Sequence, residues 1–235
     1  MNKIKIAIQG ELGAYSHIAV EKLYKGKDIE IRTCATFEET FKQAYNDSAY
    51  KIVIPIENSL AGRVADIHYL LPKYKLQIHG EYFLPVEHNL LGKPDVSIDE
   101  IKFVRSHAQA ISQCQNIIGE KNFKPIISVD TAGSAKYISE EKDKTKAAIA
   151  SKLSAKIYNL EILQENVQDD NDNYTRFLIM GKDIIQPEID KNNFITSFLF
   201  KLRDKPAALY SALSGFAING VNMTKLQSFP EKNSF

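Results

Sequence analysis

Short apolar runs alternate with helical patterns along most of the chain. Lysine alternates with apolar side chains over residues 3–9, which predicts a half-buried strand. Apolar-rich runs at 29–34 and 50–59 predict two more strands, and the segments between the runs have helical spacing. The second of these helices is predicted to begin at Thr36, because Glu39 three residues later completes a capping box. This β-α-β-α-β order favours a parallel sheet with helices on both faces.

The same rhythm repeats after Gly80. The predicted strands of this second part are 101–106, 125–129, 146–151 and 160–167, and its predicted helices are 107–119 and one that begins at 130. Each helix starts or ends with a recognisable signal, such as a glycine at the end of 107–119. We therefore expect two α/β lobes, with the chain crossing between them near residue 80 and again near residue 160.

The last part of the chain differs in pattern from the two lobes. Residues 182–193 are polar, contain Pro187 and predict a linker. Residues 194–235 then read as a strand, a turn at Pro206, an amphipathic helix, and a second strand after a glycine. A β-α-β unit of this kind cannot bury its sheet alone, so we expect an incomplete or truncated domain.

Composition excludes several classes of function. The chain has 235 residues, with 44% apolar and 25% charged residues, which is ordinary for a globular protein. The net charge of +1 predicts neither nucleic acid nor a membrane surface as a partner. The sequence begins directly with a predicted strand and contains no apolar run long enough to span a bilayer, so we expect a cytoplasmic protein. The two cysteines match no metal or redox spacing and fit buried thiols in a reducing compartment.

Polar segments follow five of the predicted strands, where ligands bind in open α/β sheets. These segments are 10–17, 55–62, 106–110, 130–135 and 173–177. Each has a structural explanation as a turn or helix cap, and the first lacks the lysine of a phosphate-binding loop. The small residues after Thr131 would let backbone amides approach an anion. The five histidines fall at no metal-ligand spacing. Five polar strand ends in one chain nevertheless favour a common ligand site.

Four of these segments, in this order and spacing, resemble the prephenate dehydratase family. They read "PIENSLAGRV", "SHAQAISQC", "DTAGSA" and "NYTRF", and the tail from 201 to 230 resembles the ACT regulatory domain of that family. The resemblance implies a two-lobed α/β fold like a type II periplasmic binding protein, followed by an α+β ferredoxin-like ACT domain. It divides the chain into a catalytic domain at 1–181, a linker at 182–193, and the N-terminal part of an ACT domain at 194–235. Lobe one is then about 1–79 with 160–181, and lobe two is about 80–159.

The resemblance also implies a reaction and its residues. Prephenate loses water and carbon dioxide to give phenylpyruvate, in phenylalanine biosynthesis, with neither a cofactor nor a metal. Thr175 is expected to assist departure of the ring hydroxyl, with Glu57 or a water as its relay partner. The expected substrate-binding residues are Ser16, Asn58, Ser59, Gln113, Thr131, Ala132, Arg176 and Phe177.

Alternation along an extended strand makes one of these assignments difficult. Arg176 should point to the face opposite Thr175, where it would brace the loop or bridge the lobes rather than bind substrate. Phe177 should share the face of Thr175 and pack against the substrate ring.

The tail departs from the family pattern at the expected effector site. The resemblance implies L-phenylalanine as an allosteric inhibitor, bound through Ala208, Leu209 and Ser228 in a homodimer or homotetramer. Ala207 stands where the family usually has glycine, and Gln227 and Phe229 replace two charged residues. These departures weigh against inhibition by phenylalanine.

Three alternatives to prephenate dehydration stay open from the sequence. Arogenate dehydratases share these motifs and accept an amino group in place of the ketone. A two-lobed fold also serves ligand-binding modules without catalysis. A catalytically inactive regulatory subunit would bind the same ligand without turnover.

Overall fold

The computed structural model describes residues 3–185 and 195–228, which fall into two compact units, Met1–Ile185 and Gln186–Phe235. The strands of the first unit are β1 (Ile4–Gln9), β2 (Ile29–Cys34), β3 (Tyr50–Asn58), β4 (Gly62–Arg63), β5 (Gln77–Pro85), β6 (Asn89–Gly92), β7 (Phe103–His107), β8 (Lys124–Ser128), β9 (Lys146–Ala150), β10 (Glu161–Gln164) and β11 (Tyr174–Gly181). Its helices are α1 (Tyr15–Leu23), α2 (Phe37–Asn46), α3 (Ala65–Tyr74), α4 (Ala108–Ser112), α5 (Gln115–Glu120), α6 (Thr131–Glu140) and α7 (Lys152–Tyr158).

These elements form two sheets and therefore two lobes. The sheet of lobe one has the order β2-β1-β3-β11-β5, with β4 added beside β3. The sheet of lobe two has the order β10-β6-β9-β7-β8. The expected two-lobed α/β fold is confirmed.

Each sheet is mixed rather than parallel throughout. In lobe one, β1 pairs in parallel with β2 and β3, whereas β11 runs antiparallel to both β3 and β5. In lobe two, β7 pairs in parallel with β8 and β9, whereas β6 and β10 are antiparallel. The predicted β-α-β segments account for the parallel part of each sheet. Apart from the short β4, the strands that add antiparallel pairing are those that adjoin the two crossings, namely β5, β6, β10 and β11.

The chain crosses between the lobes later than the pattern predicted. Strand β5 still belongs to the sheet of lobe one, so the first crossing lies at 86–88 instead of near residue 80. Strand β10 still belongs to lobe two, so the return crossing lies at 165–173 instead of near residue 160. Single-strand patterns do not reveal which sheet a strand joins, because that choice depends on distant pairing partners.

Apolar cores lie on both faces of each sheet. In lobe one, helix α1 packs on one face, and helices α2 and α3 pack on the other. In lobe two, α4 and α5 cover one face, and α6 and α7 cover the other. Thr36 caps the start of α2 as predicted, because its side chain accepts a hydrogen bond from the Glu39 amide.

The helix predicted over 107–119 is in fact two short helices, α4 and α5. The break falls at Gln113 and Cys114, after the last turn of α4. Asp169, from the return crossing, accepts from the amides of Gln115 and Asn116 at 2.8 and 3.0 Å. A carboxylate from a distant segment thus caps the second helix, so the prediction of one continuous helix was wrong.

The second unit contains one helix, α8 (Ala208–Ile218), within residues 195–228. The predicted helix after Pro206 is therefore confirmed, but 195–200 and 221–228 are not strands. Part of the predicted linker and Phe229 lie outside the described residues. None of the helices within the described ranges is long and apolar enough to cross a membrane.

Candidate active site

Thr175 lies at the start of β11, directly opposite Asn58 at the end of β3. The residue is nearly buried, at 9% relative exposure, and its hydroxyl accepts a hydrogen bond from Asn58 Nδ2 at 3.0 Å. The amide of Asn58 has a fixed orientation, because its Oδ1 accepts from the backbone amides of Leu60 and Ala61. The Oγ1 atom of Thr175 is therefore an acceptor within the protein, and its own proton is available to a ligand.

Ser59 joins the two segments that carry Asn58 and Thr175. Its hydroxyl donates to the Asp172 carbonyl at 3.1 Å and accepts from the Tyr174 amide at 2.9 Å. Its own amide donates to the Tyr174 carbonyl. These three bonds fix the loop after β3 against the segment that leads into β11.

Arg176 lies on the opposite face of β11, as alternation predicted. It bonds Glu57 at 3.1 Å and Glu81 at 2.7 Å, so it connects β3 with β5 inside lobe one. Glu57 alternates with Asn58 along β3 and forms this ion pair on the face away from Thr175. The expected direct relay from Glu57 to Thr175 does not fit this geometry, since Asn58 is the hydrogen-bond partner of Thr175.

Two other expected substrate ligands are committed to the interior of lobe one. Phe177 does share the face of Thr175, but it is 1% exposed and packs in the core with Val20 and Ile8. Ser16 is 6% exposed, and its hydroxyl donates to the Gln9 carbonyl. Both side chains shape the lobe from inside, so the expectation of direct substrate contact is wrong for this arrangement.

Gln113 lies at the break between α4 and α5 and faces the return crossing. Its Oε1 accepts from Asn173 Nδ2 and from His88 Nε2, both at 3.0 Å. The carboxamide of Asn173 in turn accepts from Asn58 Nδ2 at 2.6 Å. Residues of lobe two and of both crossings are thereby connected to the two strands that carry Asn58 and Thr175.

A cavity of about 290 Å³ lies beside this network, between the lobes. It is lined by Leu60 and Ala61 of lobe one, by Gln109, Ser112 and Gln113 of lobe two, and by Asp169 and Asp170 of the return crossing. The cavity therefore collects residues from two of the five polar segments found in the sequence, 55–62 and 106–110. Its location matches the cleft expected from a two-lobed fold.

The start of α6 is less open to an anion than its small residues suggested. Thr131 is the first residue of the helix and Ala132 is fully buried. The Asp130 side chain already accepts from the Gly133 amide at 2.5 Å, which places a negative charge at this helix start. The amides of Thr131 and Ala132 stay candidates for an anion, but that of Gly133 is occupied.

Sequence reasoning missed three residues that connect the lobes: Tyr15, His88 and Asn173. Asn173 lies within the quoted "NYTRF" segment but was read as part of a turn. His88 lies in the first crossing, which the pattern had placed inside lobe two. Three consecutive polar residues between apolar runs, "EHN" at 87–89, were the available signal.

The expected effector residues lie in the second unit. Ala208 begins α8, Leu209 is 46% exposed, and Ser228 is exposed. Ala207 has a φ of +60°, in the left-handed region that glycine adopts at least cost. The alanine that replaces the family's glycine thus stands in a strained backbone position.

No group of three histidine, cysteine or acidic side chains within 3–185 and 195–228 is arranged to hold a metal ion. The Cys114 thiol is buried, and its burial raises its pKa to about 12, so it is not a reactive thiolate. The chemistry that the site offers is hydrogen bonding from a hydroxyl and amides in a cleft between two lobes. A two-lobed α/β protein with this cleft defines a class of ligand-binding proteins and enzymes.

Comparison with known proteins narrows this class. The family model for prephenate dehydratase matches residues 6–184. The chain is 40% identical over 230 residues to a Komagataeibacter europaeus protein named bifunctional N-acyl-homoserine lactone acylase/prephenate dehydratase, covering 98% of this chain and 81% of that protein. It is 39% identical to arogenate dehydratase 2 of Petunia hybrida, covering 97% of this chain and 57% of the relative. The chain thus spans little more than half of the plant relative.

Two solved structures have closely similar folds. One is GqqA, described as a novel type of quorum quenching acylase, with a TM-score of 0.89, 40% identity, and coverage of 98% of this chain and 83% of that chain. The other is prephenate dehydratase from Arthrobacter aurescens in complex with L-Phe, with a TM-score of 0.84, 25% identity, and coverage of 97% and 76%. The chain belongs to the prephenate dehydratase family.

Proposed function

We propose that this chain converts prephenate into phenylpyruvate, as a carbon-oxygen lyase of phenylalanine biosynthesis. The observation that carries the proposal is the bond from Asn58 to the Thr175 hydroxyl, in the network beside the cavity of a member of this family. The ring hydroxyl of prephenate leaves with a proton as water, while the bond to the ring carboxylate breaks and releases carbon dioxide. The electron pair of that bond enters the ring, which becomes aromatic.

Thr175 is proposed to donate its proton toward the departing hydroxyl. Asn58 donates to Oγ1, so the threonine proton is not used in the bond between these two residues. That proton can therefore point into the cleft. Donation by Asn58 also polarises the hydroxyl, as successive hydrogen bonds strengthen one another. General acid assistance of this kind gives about 10²–10⁴-fold in rate, or roughly 3–5 kcal/mol.

The remaining polar groups of the cleft are proposed to bind the two carboxylates and the ketone. The proposed donors are Gln113 and the backbone amides of Thr131 and Ala132. Asn58 and Ser59 already donate within the protein, so they are proposed to shape this part of the site rather than to donate to the carboxylates. Asp169 and Asp170 line the same cavity, and their charge would repel a dianion. We therefore place the carboxylates toward the amide donors rather than toward the return crossing.

The first test is phenylpyruvate formation from prephenate by the purified chain and by Thr175→Ala. We expect the variant to lower kcat about a hundredfold or more, with a smaller change in KM. Thr40→Ala is the matched control, because Thr40 is also a buried threonine. It lies within α2, and its hydroxyl donates to a backbone carbonyl of that helix start. Full activity in a well-folded Thr175→Ala would contradict the assigned role.

Arogenate is the second candidate substrate, because relatives 36–39% identical to this chain carry arogenate dehydratase names. Arogenate keeps its amino group, so its product is phenylalanine, and measuring phenylalanine formation from arogenate in parallel separates the two activities. Turnover of arogenate alone would keep the role of Thr175 and change the substrate. Binding of both compounds without turnover would favour a binding module or an inactive regulatory subunit.

We further propose that 194–235 is the N-terminal part of an ACT domain and that phenylalanine acts weakly, if at all, through Ala208, Leu209 and Ser228. The strained Ala207 supports weak binding, because its methyl group occupies a position suited to glycine. Assembly into a homodimer or homotetramer and a cytoplasmic location stay predictions.

A further inference from the structure

We propose that His88 is a positioning residue for Thr175. It holds Gln113 in place from the first crossing, and Gln113 in turn holds the Asn173–Asn58 pair that bonds Thr175. The inference concerns how the cleft is aligned and rests on the proposed function.

A continuous series of hydrogen bonds connects the two residues. His88 Nε2 lies 3.0 Å from Gln113 Oε1, which lies 3.0 Å from Asn173 Nδ2. Asn173 Oδ1 lies 2.6 Å from Asn58 Nδ2, which lies 3.0 Å from Thr175 Oγ1. Four short contacts therefore span from the first crossing, through lobe two and the return crossing, to lobe one.

The direction of each bond follows from the one fixed amide. Asn58 Oδ1 is occupied by two backbone donors, so Nδ2 must donate to Asn173 Oδ1. Asn173 Nδ2 then donates to Gln113 Oε1, and the only group left to complete the series is a donor on His88 Nε2. The series thus requires the proton of His88 on Nε2.

The surroundings of His88 fit this requirement. Its ring is 2% exposed, and burial lowers its pKa, so the ring is neutral at pH 7. With the proton on Nε2, Nδ1 is an acceptor for the Tyr15 hydroxyl, which lies 2.8 Å away. Tyr15 belongs to α1, and its single proton is shared between Nδ1 and the Glu87 carbonyl, which lies 2.7 Å from the hydroxyl, so lobe one contacts the ring on its far side.

The backbone of His88 is fixed at the place where both crossings meet. Its amide donates to Gln168 Oε1 at 2.9 Å, and its carbonyl accepts from the Val167 amide at 2.8 Å. The imidazole consequently has little freedom to move apart from the two crossings. A side chain in this place can set the position of Gln113 whenever the lobes adopt this arrangement.

The role is one of orientation and not of proton transfer. Three carboxamides separate the imidazole from Thr175, and carboxamides do not exchange protons readily along a series. Loss of the His88 donor would free Gln113 to rotate and would leave the Asn173 carboxamide without a fixed partner. Asn58 stays anchored by the Leu60 and Ala61 amides, so the effect reaches Thr175 through displacement of Asn173 Oδ1, which accepts from the same Asn58 nitrogen. The Thr175 hydroxyl would be misaligned, which affects the chemical step more than substrate binding.

Two amide substitutions of His88 separate this role from simple packing. In His88→Gln the side-chain amide nitrogen reaches about where Nε2 lay and can donate to Gln113, whereas the shorter His88→Asn cannot reach it. We expect His88→Asn to lower kcat about tenfold or more with KM changed less than about threefold, and His88→Gln to keep kcat within about threefold. His79→Gln is the control, because His79 lies on β5 between the residues paired with Ile179 and Met180, at the end of the strand away from the residue paired with Thr175.

A second measurement does not depend on activity. Nitrogen-15 spectra of the wild-type ring should show the neutral form with the proton on Nε2. The side-chain amide signals of Asn58 and Asn173 should shift in His88→Asn and stay close to their wild-type positions in His88→Gln and His79→Gln. A proton on Nδ1 in the wild type, or equal kcat in folded His88→Asn and His88→Gln, would overturn the inference.

The two proposals fail in different ways. If the wild-type chain turns over neither prephenate nor arogenate, the proposed function fails and the catalytic part of this inference fails with it. If the wild type is active and His88→Asn matches it, only the inference about His88 is wrong. If His88→Asn does not fold, the wild-type ring spectrum and the kcat of His88→Gln still decide the question.

Discussion

Arg176 and Thr175 are neighbours in sequence but belong to different parts of the molecule. Thr175 bonds Asn58 in the network beside the cavity, while Arg176 lies between Glu57 and Glu81 on the other face of the sheet in lobe one. Side-chain exposure of 15% for the arginine and 24% and 28% for the two glutamates makes this a half-buried cluster. We infer that Arg176 contributes to the fold of lobe one rather than to contact with substrate.

Replacement of Arg176 with glutamine should therefore lower stability more than substrate affinity. Two carboxylates would remain close together without their cation, which costs about 2–3 kcal/mol in a half-buried setting. Urea denaturation would give the free energy of unfolding, and steady-state kinetics would give KM. A triple variant that also carries Glu57→Gln and Glu81→Gln should recover part of the lost stability. A large rise in KM without loss of stability would instead assign Arg176 to the substrate.

At the scale of elements, local pattern predicted most strands and helices, while long-range contacts decided where they end and pair. The alternation at 174–177 correctly separated Thr175 from Arg176. The break at Gln113 was not predictable locally, because the cap that starts α5 comes from Asp169. The relay through Glu57 failed for a similar reason, since strand register and not sequence proximity makes Asn58 the partner of Thr175.

A buried contact between the first loop and α7 holds the lobes together. The Gly13 carbonyl accepts from the hydroxyls of Ser151 and Ser154 at 2.6 and 3.0 Å. Gly13 has a φ of +92°, and a Cβ built there would lie 2.5 Å from Ser154 Oγ and 2.9 Å from its Cα. Both the backbone conformation and the close approach to lobe two therefore require glycine.

Gly13→Ala should destabilise the chain through both effects, whereas Gly26→Ala should do so through one. Gly26 has a φ of +78° with nothing within 4 Å of an added Cβ, so its alanine variant should lose about 1–2 kcal/mol from backbone strain alone. We expect Gly13→Ala to lose at least about 1–2 kcal/mol more, because overpacking adds to the strain. Thermal or urea unfolding would give the loss of unfolding free energy for each variant. Equal losses would show that the added methyl group at Gly13 is accommodated at no cost, for example by separation of the lobes.

At the scale of the whole molecule, the two units carry different surfaces. All residues of the candidate active site lie within Met1–Ile185, and the family model matches 6–184. The described part of the second unit exposes many large apolar side chains, among them Tyr210 at 77% and Ile218 at 82%. Exposed apolar surface of this kind marks a region that associates with other protein.

A chain that ends at Ile185 should consequently keep the reaction and lose the association. Every hydrogen bond from Tyr15 to Thr175 is made inside the first unit, so we expect kcat and KM within about twofold of the whole chain. Sedimentation velocity should give one monomeric species for the shortened chain and concentration-dependent association for the whole chain. A whole-chain variant with Tyr210→Lys and Ile218→Lys is the matched control, and it should associate less while keeping full activity.

Phenylalanine, added to the same assays, should leave the shortened chain unaffected, because the expected effector residues Ala208, Leu209 and Ser228 are removed with the second unit. Loss of turnover on shortening, in a chain that still folds, would show instead that the second unit completes the cleft.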